Sequence, residues 1–386
     1  MGINVTETDK LPLTGIRVVS LEQAAAAPLC SRRLALAGAE VLKIERPEGD
    51  FARGYDTAVH GQSSYFVWLN AGKKSVVLDL TESSAREQLK ALILSADVLV
   101  QNLKPGALKK LGLDIEDLHA AHPKLISVSI SGFHPRGPGA SRKAYDLLMQ
   151  AESGLANITG SHHEAGRVGV SIVDAATGMF AYEAVLEALL ARTLQAQTEG
   201  PRIHVALFDA IAELLCVPYL LDRYGGSAPA RVGLAHPGIC PYGVFLSHDA
   251  QPFVLSIQNE REWSRLCAVG LGNETLHADA RCVDNETRVA NRAFVDAAVQ
   301  AGFDQWSYVE IEARLNAADL AFAPVNALEF LKKHPDFATF KVAVAEHEVL
   351  LPVVPGLPKR EGARVPALGE HTHEVLSALE SNPNNT

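Results

Sequence analysis

The sequence predicts an α/β fold with a doubly wound parallel sheet, followed by a smaller second domain. Two observations support this prediction. In the first half of the chain, short apolar runs rich in β-branched residues alternate with helical patterns, as they do in βαβ units. The chain also has 386 residues, which is more than one hydrophobic core usually holds. Because doubly wound sheets bind ligands at the carboxyl ends of their strands, the loops there are the first candidates for a site.

Short, mostly apolar runs define the predicted strands of the first half, at 16–21, 40–44, 75–80, 96–100 and 125–130. Helical patterns lie between them, for example at 27–37 and 84–94. A further strand at 168–173 is predicted to run into Asp174. An apolar helix at 175–195 and a strand at 203–207 are predicted to follow.

The pattern changes near residue 222, where RYGGSAPARVGLAHPGICPYG is dense in glycine and proline. We therefore predict a large domain over 1–222, a small domain over 223–325 and a C-terminal segment, 326–386, that returns to the large domain. The small domain is predicted to contain a strand at 253–257 and helices at 260–269 and 287–301.

Composition excludes several classes of protein. The net charge of −10 argues against a nucleic-acid partner, which would favour a basic surface. The five cysteines form no CxxC pair, which favours a reducing compartment over a disulfide framework or a zinc site. The first ten residues carry no apolar signal region, and no apolar run reaches the length of a membrane span. We expect a cytoplasmic protein without a membrane partner.

Several well-known motifs are missing. The first loop reads LEQAAAAPLC and has none of the glycines that let a backbone approach a dinucleotide pyrophosphate. No P-loop, no HExxH metal motif and no GxSxG nucleophile elbow occurs. We therefore expect neither a tightly bound cofactor nor a metal.

Asp174 has two readings. At the start of a buried helix, an aspartate is most often an N-cap. The same position also favours an ionised carboxylate, and the free N–H groups of a helix start can stabilise an oxyanion. Gly178, one turn later, would allow close approach of either a ligand or a neighbouring helix.

Loops at the strand ends are rich in cations. The stretch NLKPGALKKLG after the fourth strand places Asn102 and Lys104 before a Pro-Gly turn, which suits a phosphorylated ligand beside an apolar slot. An ordinary βα loop with a solvated basic helix start explains this stretch equally well. Taken together, the loop cations predict a phosphate-binding rim; they are Arg46, Arg53, Lys73, Lys74, Lys104 and Lys143.

In chain order, these pieces resemble the family III CoA-transferases. The resemblance rests on PLTGIRVVSLEQAAAAP, AEVLKIERPEGDFAR, YFVWLNAGKKSVVLDL, ADVLVQNLKPGALKKLGL, ISGFHPRGPGASRKAYDLLMQAESGL, VSIVDAATGM, FAPVNALEFLKKHPDF and ALGEHTHEVL. It implies a Rossmann-like large domain with a smaller α+β domain, an interlocked homodimer, and coenzyme A or acyl-CoA as substrate together with a carboxylic acid. It also implies that Asp174 is the catalytic nucleophile. The implied CoA-binding positions are Gln23, Ala24, Ala25, Arg46, Lys73, Lys74, Asn102, Leu103, Lys110 and Lys143.

The same superfamily includes α-methylacyl-CoA racemases, which are the main alternative. A racemase needs a histidine acid/base where this sequence has Tyr145, so the resemblance favours transfer. A non-enzymatic CoA-binding protein is the second alternative. The run DFARGYDTAVHGQSSYFVWLNAGKKSVVLDL is most similar to enzymes acting on C4–C5 dicarboxylates, such as succinyl-CoA-dependent itaconate, mesaconate or citramalate transferases and intramolecular mesaconyl-CoA transferases.

Overall fold

The computed structural model describes residues 11–357, 360 and 362–381, so the predicted absence of an N-terminal signal lies outside the described residues. The chain divides into two compact units. Unit 1 is Met1–Ser153, Gly169–Cys216 and Ala338–Thr386, and unit 2 is Gly154–Val168 and Val217–Phe337. The predicted small domain, 223–325, lies within unit 2. Unit 2 also includes 154–168 and 217–222, which the sequence had placed in the large domain, and 326–337, which it had placed in the C-terminal segment.

Twelve strands are described, and their bounds are β1 Arg17–Leu21, β2 Glu40–Glu45, β3 Lys74–Val77, β4 Val98–Gln101, β5 Ile126–Ser131, β6 Arg202–Ala206, β7 Tyr242–Leu246, β8 Pro252–Ser256, β9 Ala321–Pro324, β10 Thr339–Val344, β11 His347–Pro352 and β12 Ala363–Val365. The helices of the described residues are α1 Ala26–Leu36, α2 Ser64–Asn70, α3 Ser83–Leu94, α4 Ala107–Lys110, α5 Ile115–Ala121, α6 Asp146–Glu152, α7 Leu155–Ile158, α8 Ile172–Leu194, α9 Leu207–Leu214, α10 Cys216–Gly225, α11 Glu260–Arg265, α12 Glu274–His277, α13 Asn285–Ala290, α14 Arg292–Phe303, α15 Tyr308–Ala317 and α16 Thr372–Glu380. Short 3₁₀ turns lie at Phe51–Gly54 and Leu328–Lys333, and a π turn at Leu266–Gly270.

Unit 1 is built on a six-stranded sheet in the order β3-β2-β1-β4-β5-β6, and every neighbouring pair is parallel. Strand β1 lies between β2 and β4, so the strand order reverses direction at the β1–β4 pair. In doubly wound sheets, the crevice at this switch point is where ligands bind. The topology therefore places the candidate site at the loops after Leu21 and Gln101.

The apolar strand runs explain the sheet. Val19 pairs with Leu42 on one side and with Leu99 on the other, and all three are almost fully buried. Side chains of α3, such as Leu89, pack in the same cluster. Strands buried on both faces are expected to be apolar without alternation. The six predicted strands that form this sheet are confirmed, each within three residues of its predicted bounds.

The predicted strand at 168–173 is wrong. Residues 168–171 form no strand, and helix α8 already begins at Ile172. The valines that suggested a buried strand are not equivalent, because Val173 is buried in the helix whereas Val170 is exposed. The helix predicted over 287–301 is likewise two helices, α13 and α14, which are separated by Asn291.

Two smaller sheets complete the architecture. Strands β10, β11 and β12 form a three-stranded sheet in unit 1, while β7, β8 and β9 form an antiparallel sheet in unit 2. The core of unit 2 is centred on Trp263, Phe253 and Phe303. In the described residues, no helix is long and apolar enough to cross a bilayer, and no cluster of three metal-ligating side chains occurs.

Gly178 lies where α8 crosses α1. A Cβ atom at this position would lie 2.6 Å from the carbonyl oxygen of Ala26 and 2.8 Å from the Cβ of Leu29. Backbone and core atoms cannot move away as a flexible side chain could. Of the two readings of Gly178, close packing of two helices is the one that the structure supports.

We expect Gly178→Ala to lower the free energy of unfolding by about 1–3 kcal/mol, because the added methyl group overpacks the α1–α8 contact. Urea denaturation followed by circular dichroism would measure this change. Gly54→Ala is the matched control, since a Cβ there meets nothing within 4 Å. Equal stability of both variants would contradict the packing role.

Candidate active site

A cavity of about 500 Å³ lies at the switch point of the large sheet. Its walls come from the loop after β1, the loop after β4, the segment between β5 and α6, and the first turn of α8. Asp174 is the one acidic side chain among the described residues that line it. A second cavity of about 470 Å³ lies beyond the ends of β1, β2 and β3, and Gln23 and Leu103 line both cavities.

The loops after β1 and β4 are joined by a reciprocal pair of hydrogen bonds. The backbone N–H of Gln23 donates to Asn102 Oδ1 at 3.0 Å, and Asn102 Nδ2 donates to the carbonyl oxygen of Gln23 at 2.8 Å. The next residue, Ala24, has φ +64°, which is uncommon for a residue with a Cβ. Strained backbone of this kind persists only where its surroundings hold it and often occurs at functional sites.

A buried charged network lies beneath this loop. Glu22 accepts hydrogen bonds from Lys73 Nζ at 2.6 Å and from Lys43 Nζ at 3.4 Å, and all three side chains are fully buried. Lys43 also pairs with Asp50 at 2.8 Å. Burial alone would raise the pKa of Glu22, but the two ammonium groups lower it to about 2. Asp50 Oδ1 in turn accepts the N–H of Ala24 at 3.2 Å and so helps to hold the strained residue.

The carboxylate of Asp174 has a contrasting environment. Burial and the nearby carboxylate of Asp146 raise the pKa of Asp174 to about 7. Within the described part of the chain, no lysine or arginine pairs with it. A partly buried carboxyl group in a cavity with a raised pKa is typical of a functional residue.

Asp174 is not the N-cap of α8. The cap position is Ser171, whose Oγ lies 2.7 Å from the hydroxyl of Tyr65. Asp146 supplies the capping carboxylate from α6, because its Oδ1 accepts the N–H groups of Val173 at 2.8 Å and Asp174 at 3.2 Å. The side chain of Asp174 is therefore left to line the cavity.

Most of the predicted site residues come together. The residues predicted for the site that line the first cavity are Gln23, Ala24, Ala25, Asn102, Leu103, Lys143 and Asp174. Arg46 lines the second cavity instead, and its Nε donates to the carbonyl oxygen of Gly49. Lys110 ends α4 and lines neither cavity.

The structure does not support ligand contacts for Lys73 and Lys74. The ammonium group of Lys73 is fully buried and is used by Glu22, Asn70 and the carbonyl oxygen of Pro28. Lys74 is the first residue of β3, so it lies at the amino edge of the sheet, opposite the cavity, and it pairs with Glu40 and Glu374. Counting the cations in the loops of the sequence does not show which of them lie at the rim of the cavity, which are buried and which lie at the opposite edge of the sheet.

Arg53 is also part of the protein's own framework. It forms two hydrogen bonds to Glu45, at 2.7 and 2.9 Å, and its guanidinium lies 3.7 Å from the centre of the Phe66 ring. Of the predicted rim, the exposed cations left at the first cavity are Lys104 and Lys143.

Two acids that shape the site were missed by sequence reasoning. Asp146 follows Tyr145 in the segment AYDLL. The one sequence feature that could have identified it is its position at the start of a helix, four residues before Gln150, which donates a hydrogen bond to its carboxylate. Glu22 follows β1 in the segment LEQ. Nothing in the sequence indicates that it is buried, because charged residues are rarely buried. Among the residues described around the first cavity there is no histidine, and Tyr145 is one of the residues that line its wall.

We expect Lys73→Met to lower the free energy of unfolding by about 3 kcal/mol, because Glu22 would lose a partner in a fully buried site. Lys74→Met is the matched control, since surface ion pairs contribute less than about 1 kcal/mol. Urea titration of both variants measures the difference. A role of Lys73 in ligand binding predicts the opposite result, namely unchanged stability with a raised KM.

Comparison with known proteins identifies the family. The sequence profile described as CoA-transferase family III matches residues 13–372. A succinate–glutarate CoA-transferase of Agrobacterium fabrum is 32% identical, with 96% of each chain covered. An acetyl-CoA:oxalate CoA-transferase of Acetobacter aceti is 33% identical over 89% of this chain and 88% of its own.

Solved structures agree with the sequence comparison. The crystal structure of a CAIB/BAIF family protein from Brucella suis has a TM-score of 0.81 and 32% identity, covering 96% of this chain and 100% of the other. A Mycobacterium tuberculosis protein has a TM-score of 0.82 and 27% identity, covering 94% of this chain and 99% of its own. The chain therefore belongs to CoA-transferase family III, and the protein is a CoA-transferase.

Proposed function

We propose that this CoA-transferase moves CoA between an acyl-CoA thioester and a C4–C5 dicarboxylic acid, with Asp174 as the covalent nucleophile. One observation carries the proposal: Asp174 is the single acidic side chain among the described residues lining the switch-point cavity. Its buried setting and raised pKa support a carboxylate that reacts rather than one that is paired.

The choice of dicarboxylates rests on relatives. One is named a succinate–glutarate CoA-transferase, and a Chloroflexus aurantiacus relative, 27% identical, is named a succinyl-CoA–D-citramalate CoA-transferase. We therefore propose succinyl-CoA as donor and glutarate, itaconate, mesaconate or citramalate as acceptor. Intramolecular transfer within mesaconyl-CoA is a variant of the same chemistry.

In the proposed reaction, a carboxylate oxygen of Asp174 attacks the thioester carbonyl carbon, the C–S bond breaks and CoA leaves as a thiolate. The thiolate then attacks the Asp174 carbonyl carbon of this mixed anhydride, which releases the donor acid and leaves an aspartyl-CoA thioester. The acceptor carboxylate attacks that thioester and again expels the thiolate. Attack of the thiolate on the acceptor side of the second anhydride forms the new acyl-CoA and restores Asp174. No proton is gained or lost overall.

The two cavities support a route for CoA. Lys104 and Lys143 at the first cavity and Arg46 at the second would hold phosphates, and the second cavity offers apolar walls from Leu78, Leu80 and Leu103. Leu103 and Gln23, shared by both cavities, would lie along the connecting arm. A racemase would need a second acid/base group beside Asp174, and Tyr145 at the expected histidine position argues against that alternative.

Incubation with succinyl-CoA, mesaconyl-CoA and itaconyl-CoA, each followed by mass spectrometry of the peptide that contains Asp174, tests the mechanism. We expect a CoA adduct on this peptide, and a loss of transferase activity of at least about 1,000-fold in Asp174→Asn.

Asp209→Asn is the matched control, because Asp209 also lies in the first turn of a helix but does not line the cavity. We expect it to retain the adduct and the activity. Turnover without any adduct in the wild type, or an active Asp174→Asn, would contradict the covalent mechanism.

We also propose that the protein is a cytoplasmic homodimer of the interlocked kind. The apolar side chains that α10 leaves exposed support a subunit interface; they are Val217, Tyr219, Leu220, Leu221 and Tyr224. The five unpaired cysteines support a reducing compartment.

Light scattering tests the dimer and should give twice the chain mass of 41.4 kDa. A monomer at micromolar concentration would contradict the dimer.

A further inference from the structure

The first turn of α8 is held by a carboxylate from another helix. Asp146 is 9% exposed, and its Oδ1 accepts the N–H groups of both Val173 and Asp174. Its Oδ2 accepts a hydrogen bond from Gln150 Nε2 at 2.6 Å. All three of these hydrogen bonds come from N–H donors, as expected for an ionised carboxylate.

This arrangement brings two carboxylates to one helix turn. Asp146 hydrogen-bonds the backbone of the same residue whose side chain lines the cavity. The side chains around that turn include three tyrosines. Tyr65 comes from α2, Tyr145 precedes α6, and Tyr55 is close enough for Asp174 to contribute to its raised pKa.

The cations near the first turn of α8 either contact other side chains or are exposed to solvent. Arg142 forms two hydrogen bonds with Glu152, and Arg33 of α1 lies over the Tyr182 ring, two turns further along α8. Lys104 and Lys143 are exposed at the cavity wall. In the part of the chain that is described, nothing of opposite charge offsets the repulsion between the two carboxylates.

We propose that Asp146 is a positioning residue that acts through Asp174: its hydrogen bonds fix the first turn of α8, and its negative charge favours the states in which Asp174 is covalently neutralised. This inference rests on the proposed role of Asp174 as nucleophile. The free carboxylate of Asp174 is repelled by Asp146, whereas its anhydride and its thioester carry no charge on that side chain. The repulsion therefore lowers the free energy of both covalent intermediates relative to the free enzyme, and it lowers the barriers to them because the charge on Asp174 is already partly lost in the transition state of attack.

Asp146→Asn separates the charge of this residue from its hydrogen bonds. The asparagine Oδ1 can still accept the two N–H groups of α8, and Gln150 can turn its amide to offer an oxygen to the new NH₂ group. Tyr65→Phe is the matched control, because it removes a hydrogen bond from Ser171 at the same helix end without changing a charge.

Carbon-13 labelling of the aspartate carboxyl groups allows Asp174 to be followed without turnover, its signal being the one lost in Asp174→Asn. We expect that signal to titrate near pH 7 in the wild type and in Tyr65→Phe, and about one pH unit lower in Asp146→Asn. The rising limb of kcat/KM against pH, measured with succinyl-CoA and glutarate, should move in the same direction, because attack needs the ionised carboxylate. At pH 8, the steady-state fraction of CoA adduct and kcat should fall by up to about tenfold in Asp146→Asn.

An unchanged titration and an unchanged adduct fraction in a folded Asp146→Asn would overturn the inference. If that variant does not fold, Asp146→Ser, which keeps a neutral acceptor oxygen, is expected to show the same downward shift. Wild-type turnover by Asp174→Asn would instead refute the proposed nucleophile. An inactive Asp174→Asn together with an unshifted Asp146→Asn would refute only the role of Asp146.

Discussion

The buried ion network around Glu22 is the constraint on which the rest of the site depends. A carboxylate that is fully buried directly after β1 would be strongly destabilising without partners, so Lys43 of β2 and Lys73 before β3 must reach it. Lys43 then binds Asp50, and Asp50 takes the N–H of Ala24. One chain of ion pairs and hydrogen bonds thus connects the central strands to the strained loop at the cavity.

Two carboxylates, Asp174 at the first cavity and Glu22 at the second, have opposite surroundings. Glu22 lies between two ammonium groups, which keep its pKa far below the ordinary value, and it serves the framework. Asp174 has a carboxylate for a neighbour and no paired cation among the described residues, and its pKa is raised. The contrast illustrates how environment assigns different roles to the same chemical group. A framework acid gains from being paired, whereas the proposed nucleophile gains from remaining unpaired.

Much of the fold was predictable because strands buried on both faces leave apolar, β-branched runs of characteristic length. The strand predicted at 168–173 was wrong because an apolar run in the sequence does not show which groups its backbone will hydrogen-bond to. There the partner is the carboxylate of Asp146, which starts a helix at Ile172. The lining of the candidate cavity was predictable where loop position decided it, as for Gln23 and Asn102. It was not predictable for Lys73 and Lys74, because one lysine is buried and the other lies at the opposite sheet edge.

The sequence by itself determined the alternation of strands and helices, the family motifs and the position of Asp174 near the start of a buried helix. These follow from local pattern, since periodicity and motif spacing are properties of the chain alone. Only the tertiary structure decided which lysines line the cavity, why a side chain at Gly178 would be overpacked, and which acid caps α8. Each of these depends on atoms far apart in the sequence, such as Ala26 against Gly178 and Asp146 against Asp174. The physical reason is that burial, pairing and close approach are set by packing between elements, and packing has no local signature.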